Sequence, residues 1–377
     1  MIKVCHIVNL ITGKSDGVYA HLKMILRNFD KLKFEHIVIF QGEEKVEKEL
    51  KELGVQIFVS ESLKKKISFK AFFDIYKVVH DKKVDIIHTH LIKPYAIAGL
   101  VNIFLKKKII YNYHGIFLKN NPYYNFIERR IYLLIHYIIY LFGRIDVVLV
   151  PSEFSKQILT EETKLFPEAA VYYNGCISIK NFTSVKSNIT QRIEASKQDK
   201  SIIALVGRLE IDKRIDQALI LIRNLVEKNF KVHLMVFGNG SLKDELNQLI
   251  QQYKLNDSVD ILDYIENVES YYKYFDIVLF TSDWEGMPLT MWEAMANGIA
   301  IVAADVGGFK EILEKNNCGR IYERGNIMEA EVKLIQLLDD LKLRKLLGKN
   351  GSDAIETKYN IKNFINQIEQ VYLNLLS

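Results

Sequence analysis

Proline and cysteine are scarce in this chain. Five prolines and 19 glycines among 377 residues leave no room for long linkers or low-complexity tracts. The three cysteines, Cys5, Cys176 and Cys318, are odd in number and scattered. Neither a disulfide framework nor a paired-thiol zinc or redox spacing is expected, and a reducing compartment suits them. Long apolar runs are missing too. The most apolar stretch, Ile131 to Phe142, is 12 residues and includes His136, whereas a bilayer span needs ~20. The opening Met1-Ile-Lys-Val-Cys-His lacks the basic stretch, longer apolar core and small-residue cleavage site of a secretory leader. The expectation is a cytoplasmic protein.

What is present is the composition of a globular protein, 49% hydrophobic and 26% charged, which excludes disordered, collagen-like and miniprotein classes. The length suits two domains better than one core. A net charge of +5 hides an asymmetry. Residues 1–180 carry 27 Lys and Arg against 18 Asp and Glu, a balance of +9, and the remainder carries 24 against 28, a balance of −4. A basic first half suits nucleic acid, an anionic membrane surface or a phosphorylated substrate.

Short apolar, β-branched runs alternate with longer amphipathic segments throughout. The runs are Val4–Val8, His36–Phe40, Val55–Val59, Val84–His88, Ile109–Tyr113 and Val147–Val150, then Ile202–Val206, Val232–Phe237, Ile277–Phe280 and Ile299–Ala303. Strand–helix alternation implies parallel sheets covered on both faces. The polar stretch 181–200 reads as a linker between two doubly wound α/β domains, 1–180 and 201–357, facing each other across a cleft. The amphipathic end, 358–377, reads as a helix packing across the join. In open α/β sheets ligands sit at the carboxyl ends of the strands, so the residues after each run are the ones to inspect.

Thr281-Ser-Asp-Trp-Glu285-Gly-Met-Pro288-Leu-Thr-Met-Trp-Glu293 follows such a run. Pro288 suits the first turn of a helix and Asn297-Gly298 suits its close. Glu285 then lies in the strand-to-helix loop and Glu293 inside the helix. Backbone N–H groups of Gly286, Met287 and Leu289 offer an anion site. The alternative is a pair of glutamates serving the helix dipole and a solvated face. Gly207-Arg208-Leu-Glu-Ile-Asp-Lys213 follows another run, and Arg208 and Lys213 suit a diphosphate leaving group. Gly238-Asn-Gly240 is a weak signal at the same edge.

Two phosphate motifs fail. Gly13-Lys14-Ser15 lacks the P-loop's first glycine, because Val8 stands there, and Gly238-x-Gly240 lacks the third glycine of a dinucleotide fingerprint, where Lys243 stands. His88 and His90 share one face of a strand, but no further ligand pattern supports zinc; a packed or cleft-lining role is expected. His114, after the next run, reads as structural or as orienting a substrate hydroxyl. The crowded segment Tyr123–Arg144, with Lys64–Lys66 and Lys106–Lys108, reads first as a helix buried on one side, and second as a dock for an anionic membrane.

Taken together these residues resemble the retaining GT-B glycosyltransferases, family 4 in particular. Glu285 to Glu293 is similar to that group's Glu-x7-Glu signature. Asp85-Ile-Ile-His88-Thr-His90, Tyr113-His114-Gly115, Pro151-Ser152-Glu153, Tyr173-Asn174-Gly175, Gly207-Arg208-Leu209 with Lys213, and Asp305-Val306-Gly307-Gly308 before Glu311 fall in the family's order along nearly the whole chain. The resemblance implies two Rossmann-like domains, the first for the acceptor and the second for a nucleotide-sugar donor. It implies that Arg208 and Lys213 hold the donor diphosphate, Glu285 the donor sugar, Glu293 the ribose, and Gly238 and Tyr264 with the Gly286–Leu289 turn the rest of the donor. Gly17, His88, His90 and His114 fall on the acceptor side, and His114 touches the sugar or orders the acceptor. No cofactor or metal is implied.

Three positions depart from the pattern. Gly13 and Gly17 are separated by Lys14-Ser15-Asp16 where adjacent glycines are usual, Arg214 stands where Gly is common, and Asp263 replaces a frequent Gly. The expected activity is sugar transfer with retention from a UDP- or GDP-sugar to a saccharide or lipid-linked saccharide, in bacterial capsule, exopolysaccharide or lipopolysaccharide assembly. Membrane contact through the basic domain goes with it. The alternatives are a GT-B epimerase or hydrolase and an inactive partner subunit; no motif supports a nucleic-acid binder.

Overall fold

The structure, a computed structural model, describes residues 1–9, 17–65, 68–114, 125–142, 145–166, 168–176, 188–197, 199–265 and 268–377. Gly13, Gly115 and the start of the 181–200 stretch lie outside the described residues. The chain divides into two units, Met1–Tyr173 with Lys362–Ser377, and Asn174–Ile361.

The first unit is built on a seven-stranded sheet. Its strands are β1 (Ile2–Val8), β2 (Phe34–Phe40), β3 (Gln56–Val59), β4 (Ile86–His90), β5 (Lys108–Asn112), β6 (Val147–Val150) and β7 (Ala170–Val171), in the order β3-β2-β1-β4-β5-β6-β7. Every pairing is parallel. Parallel strands need both faces covered, because their crossovers place helices there. On one face the odd-numbered Cys5, Ile7, Ile37, Ile39, Ile87 and Ile109 form an aliphatic core with Ala71, Ile75 and Val79 of helix Phe69–Asp81. The even-numbered Val8, Val38 and Phe40 point the other way, to Tyr19, Leu22 and Leu26 of helix Gly17–Asn28. The C-terminal helix, Ile361–Leu376, also contributes to this second face: its Tyr372 hydroxyl lies 2.7 Å from His88 Nδ1.

The second unit holds six strands, β8 (Ser201–Val206), β9 (Val232–Phe237), β10 (Val259–Leu262), β11 (Ile277–Phe280), β12 (Ala300–Ala304) and β13 (Gly319–Tyr322). Their order is β10-β9-β8-β11-β12-β13, again all parallel. The 181–200 stretch, expected as a linker, contains helix Asn188–Lys197, which belongs to this unit and packs on β8 and the 3₁₀ segment Val268–Tyr274. Its Lys197 Nζ donates to the Tyr274 carbonyl at 2.7 Å, which ties it down.

Helix Leu289–Ala296 follows β11. Pro288 takes its N-cap with φ −68°, one position before the expected first turn. The helix closes at Asn297 and at Gly298, whose φ of +66° is the left-handed conformation that glycine tolerates. It packs on helix Leu341–Thr357 at very short range. A Cβ on Gly348 would meet the Gly298 carbonyl oxygen at 1.9 Å, so only glycine fits. Gly348→Ala is expected to cost about 1–3 kcal/mol, the usual range for overpacking, read as a lowered urea midpoint; an unchanged midpoint refutes this packing.

Candidate active site

In the second unit the chemistry collects at the carboxyl ends of β8, β9, β11 and β12. Lys213 closes a short 3₁₀ turn after β8, and its Nζ lies 2.5 Å from Glu285 Oε1 in the loop after β11. The same carboxylate oxygen accepts from Ser282 Oγ at 2.7 Å. Thr281 Oγ1 donates to the Lys213 carbonyl at 2.8 Å, locking the lysine backbone to the β11 loop. Glu285 is buried and Lys213 nearly so. Two opposite charges removed from water in this way require each other: deleting one strands the other. Arg208 is more open, 49% exposed at its side chain, and its Nη2 contacts buried Asp212 Oδ2 at 3.2 Å. Both sequence-predicted cations are thus present and paired, one inside and one facing solvent.

Arg214 supplies a physical account of the departure from Gly. Its φ is +48°, a left-handed conformation that glycine takes without strain. Here the arginine is held there by ion pairs to Asp216 at 2.9 Å and Asp283 at 3.1 Å. Gly238 and Gly240 are also explained by close approach. A Cβ on Gly238 would lie 1.8 Å from the Gly207 carbonyl oxygen, and one on Gly240 would lie 2.3 Å from that of Leu209. The loops after β8 and β9 therefore interlock backbone to backbone. Tyr264 is half-buried just after β10. Asp263 beside it pairs with Lys243, a contact that glycine does not make.

The loop of Glu285 is braced from β12. Gly307, at φ +58°, sits where a Cβ would strike the Glu285 carbonyl oxygen at 2.5 Å, and the Gly308 N–H donates to the Gly286 carbonyl at 2.9 Å. Gly286, Met287 and Pro288 lead into the helix at Leu289, whose first-turn N–H groups have no acceptor within the helix itself. Glu293 lies in the second turn of that helix and accepts from the Tyr272 hydroxyl at 3.0 Å. Tyr272 comes from the 3₁₀ segment Val268–Tyr274 and had no sequence signal, being 21 positions away. Burial, reinforced by the charge of Glu269 and opposed by the tyrosine hydrogen bond, pushes the Glu293 carboxyl up to about 7.

Of the four residues expected on the acceptor side, the structure brings His88, His90 and His114 together. Gly17 begins helix Gly17–Asn28. His88 and His90 on β4 are fully buried. His114, two residues past β5, is half-buried and lines a recess with Leu91, Tyr113 and Glu162. Leu91 follows His90 with φ +74° and ψ 163°, a region essentially reserved for glycine and costing about 1–3 kcal/mol. Missed in the sequence were His6 on β1, His36 on β2 and His21 on helix Gly17–Asn28, which join them. The three cysteines are buried, and none forms a disulfide among the described residues.

A family model described as Glycosyl transferases group 1 matches residues 187–354, and one described as Glycosyltransferase Family 4 matches residues 15–176. The two matches together span most of the chain, which belongs to the GT-B glycosyltransferases of family 4. It is 22% identical over 351 residues, 90% of each chain, to a capsular polysaccharide biosynthesis glycosyltransferase, CapM, of Staphylococcus aureus. It is 23% identical over 318 residues, 81% of this chain and 80% of the relative, to the UDP-Gal:alpha-D-GlcNAc-diphosphoundecaprenol alpha-1,3-galactosyltransferase of Escherichia coli. The crystal structure of Anabaena Alr3699/HepE in complex with UDP-glucose superposes with a TM-score of 0.84 at 16% identity, covering 99% of this chain and all (100%) of that one. The expected GT-B fold is therefore present.

The raised Glu293 carboxyl makes a signed prediction. Between pH 4.5 and about 7 the folded protein keeps a proton that the unfolded chain releases. The stability this group supplies is complete below pH 4.5 and lost as pH rises through 7. Glu293→Gln is expected to raise the stability of the unliganded protein by about 2–3 kcal/mol at pH 8 and hardly at all at pH 4.5, read by thermal melting. Equal effects at both pH values contradict the assignment.

Proposed function

We propose that this glycosyltransferase moves a sugar, with retention of configuration, from a UDP- or GDP-sugar to a hydroxyl of a saccharide or lipid-linked saccharide acceptor. The setting we propose is bacterial capsule, exopolysaccharide or lipopolysaccharide assembly. The carrying observation is the Lys213–Glu285 pair, flanked by Arg208, at the carboxyl ends of β8 and β11. Cleavage of a sugar–phosphate bond builds negative charge on the departing diphosphate. Fixed cations stabilise that charge as a metal ion does elsewhere, so the reaction is proposed to need no metal. An incoming diphosphate competes with Glu285 for Lys213, and the carboxylate then turns to accept hydroxyls of the donor sugar. Glu293 is placed to hold the ribose diol and the Gly286–Leu289 turn to receive phosphate or sugar oxygens; Gly238 and Tyr264 flank the nucleotide. On the first unit, His114 faces the recess in which a sugar hydroxyl is proposed to bind. A neighbour solved with UDP-glucose and a relative named for UDP-Gal favour a uridine nucleotide.

The first unit also carries the membrane contact we propose. No helix among the described residues is long and apolar enough to cross a membrane. Helix Phe126–Phe142, expected to be buried along one side, buries only His136 and Ile139 among its described side chains. Phe126, Ile127, Leu134 and Phe142 are more than half exposed, as are Phe104 on the adjacent helix Ile92–Leu105 and Phe73 on helix Phe69–Asp81, which packs on that one. Exposed Lys64, Lys65, Lys106 and Arg130 accompany them. Apolar side chains with basic neighbours suit the interface of an anionic bilayer.

Three measurements test these readings. UDP is expected to raise the melting temperature equally with and without EDTA, and Lys213→Ala and Glu285→Ala are each expected to lower kcat at least 100-fold while the fold persists. A shift abolished by the chelator, or turnover of the donor with no acceptor added, refutes the corresponding part. The protein is expected to sediment with phosphatidylglycerol vesicles and not with phosphatidylcholine ones, and Phe126→Ser with Phe142→Ser is expected to release it. Equal recovery on both vesicles refutes the membrane contact.

A further inference from the structure

Six of the nine histidines meet on one face of the first sheet. The register explains how. β1 and β4 pair with His6 opposite His88, and His90 lies two residues on, on the same face. β2 pairs with β1 so that His36 is opposite Val4, diagonal to His6. His114 follows β5, and His21 covers the group from helix Gly17–Asn28.

Four of these rings form a continuous chain. His36 Nδ1 is 3.0 Å from His6 Nε2, His6 Nδ1 is 3.2 Å from His90 Nε2, and His90 Nδ1 is 3.1 Å from His114 Nε2. Burial holds His6, His90 and His114 well below the ordinary histidine range, and His36 at about 4. All four are neutral near pH 7. A neutral imidazole has one N–H and one bare nitrogen. His6 and His90 each use both nitrogens on other imidazoles, so each must donate on one side and accept on the other. Only two proton arrangements satisfy all three bonds. Either every ring carries its proton on Nδ1 and the chain donates from His36 toward His114, or every ring carries it on Nε2 and the chain donates the other way.

We propose that His36, His6 and His90 are positioning residues that fix the tautomer of His114, and so decide whether its outer nitrogen, Nδ1, donates to or accepts from a sugar hydroxyl. The inference rests on the reading of His114 as a substrate-facing residue. The first arrangement gives His114 a donor at Nδ1 and the second an acceptor, without any change of net charge. Two triads, His6 with His88 and His90, and His21 with His90 and His114, are close enough to share a metal ion. Neither offers a carboxylate or thiolate to balance a buried divalent charge. The hydrogen-bonded chain already uses both nitrogens of His6 and His90, which favours the tautomer relay.

The test is a long-range ¹H–¹⁵N spectrum of the histidine side chains in the full-length protein, with metal content measured on the same sample. The expected result is one shared tautomer for His36, His6, His90 and His114, and no stoichiometric metal. His6→Leu, which cuts the chain in the middle, is expected to turn His114 into a tautomer mixture. It should also lower kcat about tenfold at unchanged KM for the sugar nucleotide. Mixed tautomers in the wild-type protein, an unaltered His114 in the His6→Leu spectrum, or stoichiometric zinc with metal-shifted nitrogens overturns the proposal. The wild-type spectrum decides the matter even if His6→Leu fails to fold. A fully active His114→Ala enzyme overturns the substrate-facing reading on which the inference rests, and the tautomer spectrum, which needs no turnover, tells that failure from failure of the relay.

Discussion

A parallel sheet has a direction, and both units depend on it. With every strand pointing the same way, all the loops that follow strands emerge on one edge. The crossovers on either side of the sheet diverge where the strand order reverses. In the second unit that reversal lies between β8 and β11. Lys213 leaves the first of these strands and Glu285 the second, and the pair joins across it. In the first unit the reversal lies between β1 and β4, which carry His6, His88 and His90. The two clusters of polar side chains thus occupy equivalent places in two sheets of the same topology.

The electrostatics of the second unit follow from how its charges are paired at that place. Lys213 and Arg208 each have a carboxylate of this chain, Glu285 and Asp212, and Arg214 has two. A site with its cations already compensated is stable without ligand, and it resists any anion too weak to displace a carboxylate. A diphosphate carries enough charge to compete. Glu293 is treated differently. Burial raises its carboxyl, and among the described residues it meets a tyrosine hydroxyl and another glutamate's charge in place of a cation. The same loop and helix therefore carry one carboxylate paired with Lys213 and another, in the interior, whose carboxyl is pushed up to about 7.

The alternation of apolar and amphipathic segments was legible because strands buried on both faces must read as continuous β-branched runs. β7, β10 and β13 escaped notice, and each is a sheet edge. Val259-Asp-Ile-Leu and Gly319-Arg-Ile-Tyr carry a charge within four residues, which breaks the short apolar run and is readily accommodated at a sheet edge. Arg208, Lys213 and Glu285 were legible because each lies in the segment that directly follows a strand, and Glu293 because it stands eight positions after Glu285 in the helix that comes next. Tyr272 and the Gly307 brace were not, since their partners are distant in sequence. His88 and His90 announced a shared face, but His6 and His36 joined them only through strand register, which a single sequence does not state. Helix 188–197 was hidden by its polar composition, because it buries few side chains and is tied down through Lys197 instead.

The two faces of the first sheet make the histidines harder to dismiss as filler. One face is closed over β1, β2 and β4 mainly with isoleucine, valine and alanine, and that solution leaves few polar atoms to satisfy. The other face places imidazoles at 6, 36, 88 and 90 and leaves His36 Nε2 and His88 Nε2 without partners among the described residues. Each such atom costs about 1–3 kcal/mol, whereas apolar groups of the same shape avoid that cost. The strained Leu91 immediately after His90 adds to the cost. Packing alone favours the aliphatic solution already used a strand's thickness away. The imidazoles give something aliphatic side chains do not, a directed line of hydrogen bonds that ends at the half-buried His114 and its recess.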